Sequence, residues 1–296
     1  KFEFVGFYDP NEDLRKTISE THQIKAYDEL DALIADVDCI DVVSPTVFHY
    51  EIAKKAIIAG KHVFIEKPLT ETLEQAEELV ALSQKHNVKV QVGHVERYNP
   101  AIRSLRNIDF KPKFIEGHRL ALFNPRGTDV SVVLDLMIHD LDIVLSMIKE
   151  DVVDVRANGV CIVSKTPDIC NARIEFAGGA IANLTASRIS LKNMRKIRIF
   201  QNDAYISLDF LEKEAQVVKI EENVENDDFS GMTIHTNDGL KRIIIDSPEI
   251  MKNNAIEDEL SDFYNAVTGQ SDVLVTIDDG YRALKLAHII QSKIVL

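Results

Sequence analysis

The chain has 296 residues, of which 45% are hydrophobic, and its 48 acidic and 34 basic residues give a formal net charge of −14. This length predicts about two domains with full-sized cores, and the acidic excess argues against nucleic acid as a partner. No apolar stretch approaches the ~20 residues of a membrane span and no signal peptide is visible, so we expect no membrane association.

The first 100 residues alternate predicted strands with predicted helices. Strands are predicted at 2–8, 39–43, 62–65 and 88–92, and helices at 12–21, 28–35, 48–59 and 72–86. Thr72-Leu73-Glu74-Gln75 matches a capping box and therefore marks the start of the last of these helices. Strands that alternate with helices imply right-handed crossovers, so this part of the chain predicts a parallel sheet.

After residue 100 the predicted strands follow one another without intervening helices. They lie at 114–123, 154–163, 171–176, 180–188, 196–201, 204–209, 215–221 and 240–245, and helices are predicted at 135–148, 257–267 and 279–292. This order predicts an α+β domain with an open, mostly antiparallel sheet. We therefore expect a dinucleotide-binding domain at 1–100, a substrate and oligomerisation domain at 101–278, and a C-terminal helix, 279–296, that packs back on the first domain.

One lysine lies where the apolar strand at 62–65 meets its loop, in the tripeptide Glu66-Lys67-Pro68. Ligands of α/β proteins bind at this end of parallel strands. The strings Ser44-Pro45-Thr46-x-x-His49 and Ala59-Gly60-Lys61-His62-Val63-x-x-Glu66-Lys67-Pro68 together resemble the glucose–fructose oxidoreductase / inositol dehydrogenase / MocA (Gfo/Idh/MocA) family of nicotinamide-dependent sugar dehydrogenases. The alternative is that Lys67 is only a solvated loop lysine.

The resemblance implies a Rossmann-type, doubly wound parallel sheet followed by the α+β domain. It also implies a cis peptide before Pro68 and a catalytic Lys67, whose ammonium would stabilise alkoxide character on the reacting carbinol. The expected cofactor-binding residues are Ser44, Pro45, Thr46, His49, Glu66 and Lys67. Glu66 is expected to orient the lysine rather than to react.

The Gly-x-Gly-x-x-Gly loop that cradles a dinucleotide pyrophosphate is not found in this sequence. In the family this loop follows the first strand, whereas this sequence begins at what corresponds to the second strand. We therefore expect the first strand–turn–helix unit to be missing from the sequence as given. A true absence would badly impair dinucleotide binding.

Asp9 follows the first predicted strand, where an acid accepts hydrogen bonds from the adenosine ribose hydroxyls. Its carboxylate would repel a 2′-phosphate, so we expect NAD as the cofactor, with NADP less favoured. The alternative is a turn former, because Asp-Pro often begins a turn.

A second group of polar residues lies on the helix predicted at 135–148. Asp135, His139 and Asp142 are spaced i, i+4 and i+7 and would share one helix face. His139 is the expected general base, because imidazole titrates near neutral pH, and Asp135 would hydrogen-bond a sugar hydroxyl or the imidazole. This matches the Asp-x-x-x-His pair of the family, although Ser131-Val132-Val133 replaces the usual upstream glycines. The alternative is a surface histidine beside solvated acids.

No metal site is expected. Asp135 with His139, or His94 with Glu96, could begin a ligand set, but neither pair has further ligands at useful spacing. The three cysteines, Cys39, Cys161 and Cys170, have no Cys-x-x-Cys spacing and are expected to be reduced packing residues of a cytoplasmic protein.

Residues 92–100 join the two predicted domains and resemble the corresponding segment of bacterial family members that oxidise UDP-N-acetyl-amino sugars at C3. We expect Arg97 and Asn99 to contact the substrate or nicotinamide, although a structural role is the alternative. The window from Arg97 to Arg126, which includes Arg119, carries a net charge of +5. Guanidinium groups grip phosphates bidentately, so this window predicts an anionic substrate bound by Arg97 and Arg119, unless it is only a solvated face.

These features predict an NAD-dependent oxidoreductase that acts on a secondary alcohol of a sugar, in particular a UDP-N-acetyl amino sugar. One alternative is an unphosphorylated sugar or inositol dehydrogenase, and another is a non-catalytic ligand-binding relative on the same fold. We expect a homodimer or homotetramer, with Ile181, Leu184, Ile197 and Ile199 on the face of the sheet that a second subunit covers.

Overall fold

The structure, a computed structural model, describes residues 1–124, 130–222, 232–236 and 239–295. The described chain forms two units, one of residues 1–94 and 257–281 and the other of residues 95–256 and 282–296. This division differs from the expected one at the C-terminus. The last helix is shared, because Tyr281 donates a hydrogen bond to Glu77 of the first unit, whereas Ala283 and Leu286 lie in the core of the second. The functional labels given to the two domains stay a prediction.

The first unit contains a three-stranded parallel sheet with strand order β1-β2-β3. Its strands are β1 (Cys39–Val42), β2 (His62–Glu66) and β3 (Val90–Gly93), and its helices are α1 (Glu12–His22), α2 (Leu30–Asp36), α3 (His49–Ile58), α4 (Leu73–His86) and most of α7 (Ala255–Val267). Val63, Phe64 and Ile65 of β2 are all buried, as expected for a central strand of a sheet covered on both faces. The strand predicted at 2–8 is reduced to one parallel pairing, between Phe7 and Ala26.

Local signals define the helix ends of this unit. The Thr72 hydroxyl accepts a hydrogen bond from the Gln75 amide and the Gln75 side chain accepts one from the Thr72 amide, both at 3.3 Å, which confirms the predicted capping box. Helix α4 is followed by Asn87, whose φ of 52° lies in the left-handed region, and α3 is followed by Gly60, whose φ of 76° favours glycine. These two helices therefore begin and end where the sequence indicates.

The second unit is built on a nine-stranded sheet within the described residues. Its order is β11-β12-β10-β9-β8-β4-β7-β6-β5, and among these pairings only β4 with β7 is parallel. The strands are β4 (Phe114–Leu120), β5 (Val152–Val160), β6 (Ile169–Phe176), β7 (Ile181–Ser187), β8 (Met194–Phe200), β9 (Ala204–Asp209), β10 (Glu214–Glu222), β11 (Met232–Thr236) and β12 (Gly239–Asp246). The sequence predicted every strand except β11.

In the described part of the second unit, three α-helices accompany the sheet, namely α5 (Pro100–Arg103), α6 (Ile138–Met147) and most of α8 (Ile277–Lys293). Helix α6 is preceded by a π-helical turn, Val133–Met137, where the sequence predicted continuous α-helix. Met137, Ile138 and Leu141 are fully buried in one core with the sheet.

The opposite face of this sheet is more polar than predicted. Leu184, Ile197 and Ile199, expected to be available to a second subunit, are fully buried in the unit's own core. Alternation along each strand puts these side chains on the inner face. The outer face instead carries pairs such as Glu116 with Arg198, which are direct cross-strand neighbours joined by a 2.8 Å ion pair.

Candidate functional site

In the first unit, the loops after β1 and β2 lie at the same edge of the sheet. The two strands are parallel and pair Val42 with Ile65, so the segments 43–46 and 66–68 leave the sheet side by side. Both expected motifs, Ser44-Pro45-Thr46 and Glu66-Lys67-Pro68, are on these loops. They occupy the end of a parallel sheet at which α/β proteins bind ligands.

The lysine loop is compact. Lys67 is half-buried, Pro68 and Thr70 are buried, and the Lys67–Pro68 peptide is cis, as the resemblance implied. Glu66 lies against the end of β3, where a Cβ atom on Gly93 would come within 2.9 Å of its carboxylate. Gly93 therefore permits the close approach that fixes Glu66 beside Lys67.

His49 joins the two loops. Its Nδ1 atom lies 2.9 Å from the Pro68 carbonyl oxygen and its Nε2 atom lies 2.8 Å from the Ser44 carbonyl oxygen. The side chain is 1% exposed. This burial favours a role in positioning the loops over the direct cofactor contact that the sequence predicted.

Asp9 shapes the chain at the start of α1. Its side chain accepts a hydrogen bond from the Asn11 amide at 2.8 Å, and its carbonyl oxygen accepts one from Arg15 at 2.7 Å. These are the contacts of a turn former, which was the alternative role. Binding of a ribose by Asp9 stays a prediction.

In the second unit, Asp135 and His139 are both half-buried on the π-helical turn and the first turn of α6. The Ser131 hydroxyl accepts a hydrogen bond from the Val133 amide at 3.2 Å, and the Ser131 carbonyl accepts one from the Asp135 amide at 3.0 Å. Ser131 therefore begins the turn where the family usually has glycine. Turns of π-helix are rare in proteins as a whole, but those that occur are often at functional sites.

Asp142 does not share the environment of Asp135 and His139. It is 1% exposed and forms two hydrogen bonds with Arg97, from Nε at 2.7 Å and from Nη2 at 3.0 Å. The Arg97 side chain is itself only 13% exposed. The structure therefore ties the segment at 95–98 to α6 and favours a positioning role for Arg97.

Arg119 lies at the centre of a second buried network. Its guanidinium contacts both carboxylate oxygens of Asp140 at 2.8–3.1 Å and donates to Glu96 at 2.9 Å. Glu96 also accepts from Asn99 at 3.0 Å and from Arg195 at 3.3 Å. Burial raises the pKa of the Asp140 carboxyl, and the charge of Arg119 counteracts this rise.

This network corrects the expectation that Arg119 and Asn99 contact the substrate. Arg119 is 3% exposed, and Asn99, 7% exposed, also donates to the Phe210 carbonyl and accepts from the Ala101 amide. Buried side chains with these partners stabilise the second unit. Sequence analysis did not predict this network of Glu96, Asp140 and Arg195. The signal for it was an acid in the apolar sequence of α6, because a buried acid requires a basic partner and the basic window offers several.

Two lysines of the basic window also lie near acids. Lys111 forms an ion pair with Asp109, and Lys111 and Lys113 line a surface cavity of about 400 Å³ that Glu150 and Asp203 share. Arg126 lies outside the described residues. The window therefore gives less support to an anionic substrate than its sequence charge indicated.

Two further findings concern membrane spans and metal binding. Among the described residues, no helix combines the length and apolarity that a membrane crossing requires. Within the same residues, no three His, Cys, Asp or Glu side chains are grouped so that they could hold a metal ion.

Comparison with known proteins gives two family matches. Residues 1–94 match the model of an oxidoreductase family with an NAD-binding Rossmann fold, and residues 112–207 match the GFO/IDH/MocA C-terminal domain. The chain is 34% identical to UDP-N-acetylglucosamine 3-dehydrogenase of Acidithiobacillus ferrooxidans over 96% of this chain and 88% of that protein. It is also 30% identical to scyllo-inositol 2-dehydrogenase (NAD(+)) of Bacillus subtilis, over 52% of this chain and 49% of that protein.

Solved structures agree. The structure of the Acidithiobacillus ferrooxidans enzyme matches with a TM-score of 0.87 at 32% identity, covering 98% of this chain and 89% of that one. A levoglucosan dehydrogenase in complex with NADH and levoglucosan matches with a TM-score of 0.80 at 18% identity, covering 97% and 86% of the two chains. The second likeness concerns the fold alone.

Proposed function

The chain belongs to the GFO/IDH/MocA oxidoreductase family, and from this premise we propose that it oxidises a secondary alcohol of a UDP-N-acetyl amino sugar with NAD. The observation that carries the proposal is the similarity to UDP-N-acetylglucosamine 3-dehydrogenase along 96% of the chain. The scyllo-inositol dehydrogenase matches only about half of the chain, so inositol or an unphosphorylated sugar is the second candidate.

The residues at the edge of the first unit's sheet fit a nicotinamide dinucleotide. Ser44 and Thr46 offer hydroxyl groups and Lys67 an ammonium group beside a half-buried surface, and Asp9 offers a carboxylate suited to ribose hydroxyls. When bound, the nicotinamide supplies the hydride acceptor for the carbinol carbon. The Asp9 carboxylate would repel a 2′-phosphate, which supports NAD over NADP.

The protein's own residues would manage the proton and the developing charge. His139 would accept the hydroxyl proton as the C–H and O–H bonds break and the C=O bond forms. Lys67 would stabilise negative charge on the oxygen through its ammonium group. Asp135 would hold a sugar hydroxyl or the imidazole in place.

A turnover screen tests this proposal. Initial rates of nicotinamide reduction would be measured on the full-length protein with NAD or NADP, against UDP-N-acetylglucosamine, N-acetylglucosamine, glucose and myo-inositol. We expect the highest kcat/KM with UDP-N-acetylglucosamine and NAD. Equal or higher kcat/KM with a free sugar or inositol would favour the second candidate. Binding without reduction of nicotinamide by any of these compounds would identify a non-catalytic relative.

We also propose that the protein is a cytoplasmic homodimer or homotetramer. All three cysteines are free thiols, which is usual in a reducing compartment. The outer face of the second unit's sheet is the surface we assign to this assembly, and it carries cross-strand pairs such as Glu116 with Arg198. A two-fold partner could repeat these pairs across a symmetric interface.

A further inference from the structure

His49 is the first residue of α3 and is buried where the loops after β1 and β2 meet. Both ring nitrogens lie at hydrogen-bond distance from a main-chain carbonyl oxygen, Nδ1 at 2.9 Å from Pro68 and Nε2 at 2.8 Å from Ser44. The two carbonyls belong to different loops. One imidazole therefore connects the segment that carries Lys67 with the segment that carries Ser44, Pro45 and Thr46.

The chemistry of the two contacts fixes the number of ring protons. A carbonyl oxygen only accepts hydrogen bonds, so each ring nitrogen must donate. A neutral imidazole has one N–H group, and its other nitrogen presents a lone pair, which would repel the facing carbonyl oxygen. Only the doubly protonated ring makes both hydrogen bonds at these distances.

We infer that His49 is held as an imidazolium that joins the two loops and thereby positions Lys67 for the proposed reaction. The inference rests on the proposed function only in its last step, since the two hydrogen bonds exist in the protein without a substrate. Hydrogen bonds to a charged donor are stronger than hydrogen bonds between neutral groups. A charged His49 would therefore hold both loops more firmly than a neutral ring.

The charges around His49 act in both directions. The N-terminus of α3 opposes a cation, and Lys67 is a second positive charge next to Pro68. Acidic residues are more numerous than basic ones on the elements that pack against α3, which are β1, β2 with its loop, and α4. The ionisable residues of these elements are Cys39, Asp41, His62, Glu66, Lys67, Glu71, Glu74, Glu77, Glu78, Lys85 and His86.

Nuclear magnetic resonance of the ring nitrogens tests the inference directly. In protein labelled with ¹⁵N-histidine at neutral pH, an imidazolium gives two protonated nitrogens with similar shifts, whereas a neutral ring gives one protonated and one unprotonated nitrogen with widely separated shifts. The His49 signals would be assigned by their loss in His49→Gln, or in His49→Phe where one variant folds poorly. We expect two protonated nitrogens, and a single neutral tautomer for His49 would overturn the inference.

Loop order and kinetics test the positioning role. In His49→Phe, amide hydrogen exchange is expected to increase in residues 42–48 and 64–70, and kcat to fall by more than the affinity for NAD. His86→Phe, at the end of α4, is the matched control and should change neither. Unchanged amide hydrogen exchange in both loops of His49→Phe would show that His49 does not hold the loops together. If no sugar is oxidised by the wild-type protein while His49 shows two ring protons, the proposed function fails and the imidazolium stands.

Discussion

Arg119 and Asp140 form a buried, two-pronged ion pair, and Asp140 follows the expected general base His139 directly in the chain. A second buried pair joins Arg97 to Asp142, two residues further along the same helix. The orientation of α6, and with it that of His139, therefore depends on two arginines that sequence analysis had placed at the substrate. His139 is therefore the residue expected to act on the substrate, and Arg97 and Arg119 hold its helix in position.

Replacing Arg119 with methionine should strongly destabilise the protein. The substitution leaves the carboxylates of Asp140 and Glu96 buried without their main cation, and loss of one partner of a buried ion pair costs about 3–5 kcal/mol. Arg156→Met is the matched control on β5, since Arg156 is 74% exposed in its pair with Asp154 and such pairs contribute about 0–1 kcal/mol. Urea unfolding measures both, and equal losses would contradict a central role for Arg119.

Replacing Lys67 or His139 with alanine should remove most of the turnover and leave the fold intact. A positioned acid–base group contributes about 10²- to 10⁴-fold to the rate, and both side chains are half-buried, so neither variant opens a large cavity. Steady-state kcat and a thermal unfolding midpoint would be measured for each.

Two exposed residues of the first unit provide controls for this experiment. Lys85→Ala and His22→Ala remove the same side-chain types from helix surfaces and should leave kcat unchanged. Near wild-type kcat in Lys67→Ala or His139→Ala would remove that residue from the mechanism.

Much of the fold could be predicted from the sequence because strong local signals define it. The apolar run Val63-Phe64-Ile65, the capping box at Thr72 and Gly60 after α3 each determine an element boundary by short-range physics. β11 was missed, although β11 pairs antiparallel with β12. The five residues of β11 carry no strong strand signal of their own, and β12 provides the hydrogen-bonding partner that makes them a strand.

The site was harder to predict because the charge of a side chain does not show which residues it pairs with in the folded protein. Arg97 and Arg119 resemble ligand-binding residues in the sequence, but tertiary structure brings Asp142, Asp140 and Glu96 to them. The π-helical turn at Val133–Met137 likewise depends on how the segment packs, whereas periodicity predicts only helix. Lys67 could be identified because its motif is local.

Replacing Asp9 with serine should narrow the preference for NAD over NADP. The carboxylate would accept ribose hydrogen bonds and repel a 2′-phosphate, whereas a serine hydroxyl does neither as strongly. The ratio of kcat/KM for the two cofactors measures the effect, with Asp13→Ser on the exposed first turn of α1 as control. Equal kcat/KM for NAD and NADP in the wild-type protein would refute the ribose assignment. A thermal unfolding midpoint would show how much Asp9 contributes through the Asn11 amide.

The protein should sediment as at least a dimer at micromolar concentration. The outer face of the second unit's sheet provides the proposed interface, and Arg198→Glu would place two like charges opposite each other at Glu116. We expect this variant to shift the sedimentation velocity profile towards the monomer, because the reversed charge lies on the proposed interface. Lys85→Glu, which adds the same charge change elsewhere, should not. A clean wild-type monomer would refute the assembly.

Asp168 should stabilise the protein at neutral pH and lose this effect in acid. Its buried carboxylate accepts hydrogen bonds from the amides of Ile162 and Val163 at 2.7 Å and of Ser164 at 3.0 Å. Burial alone would raise the pKa of Asp168, but hydrogen bonds from Ser164 and from the other two amides outweigh burial and hold the pKa well below its usual range. Because the pKa is lower in the folded than in the unfolded state, the stabilisation is complete above the unfolded value of about 3.9 and declines as pH falls below it.

The variant Asp168→Asn keeps the shape of the side chain and removes its charge. It should lower the free energy of unfolding at pH 7 by about 1.5–3 kcal/mol, the contribution of hydrogen bonds to a charged group. The difference from wild type should shrink steadily as the pH is lowered from about 4, because the wild-type carboxylate then begins to bind the proton that the unfolded chain already holds. Urea unfolding at a series of pH values measures this, with the exposed Asp272→Asn as control. A difference that stays constant down to the acid unfolding transition would mean that Asp168 stabilises its loop by shape and not by charge.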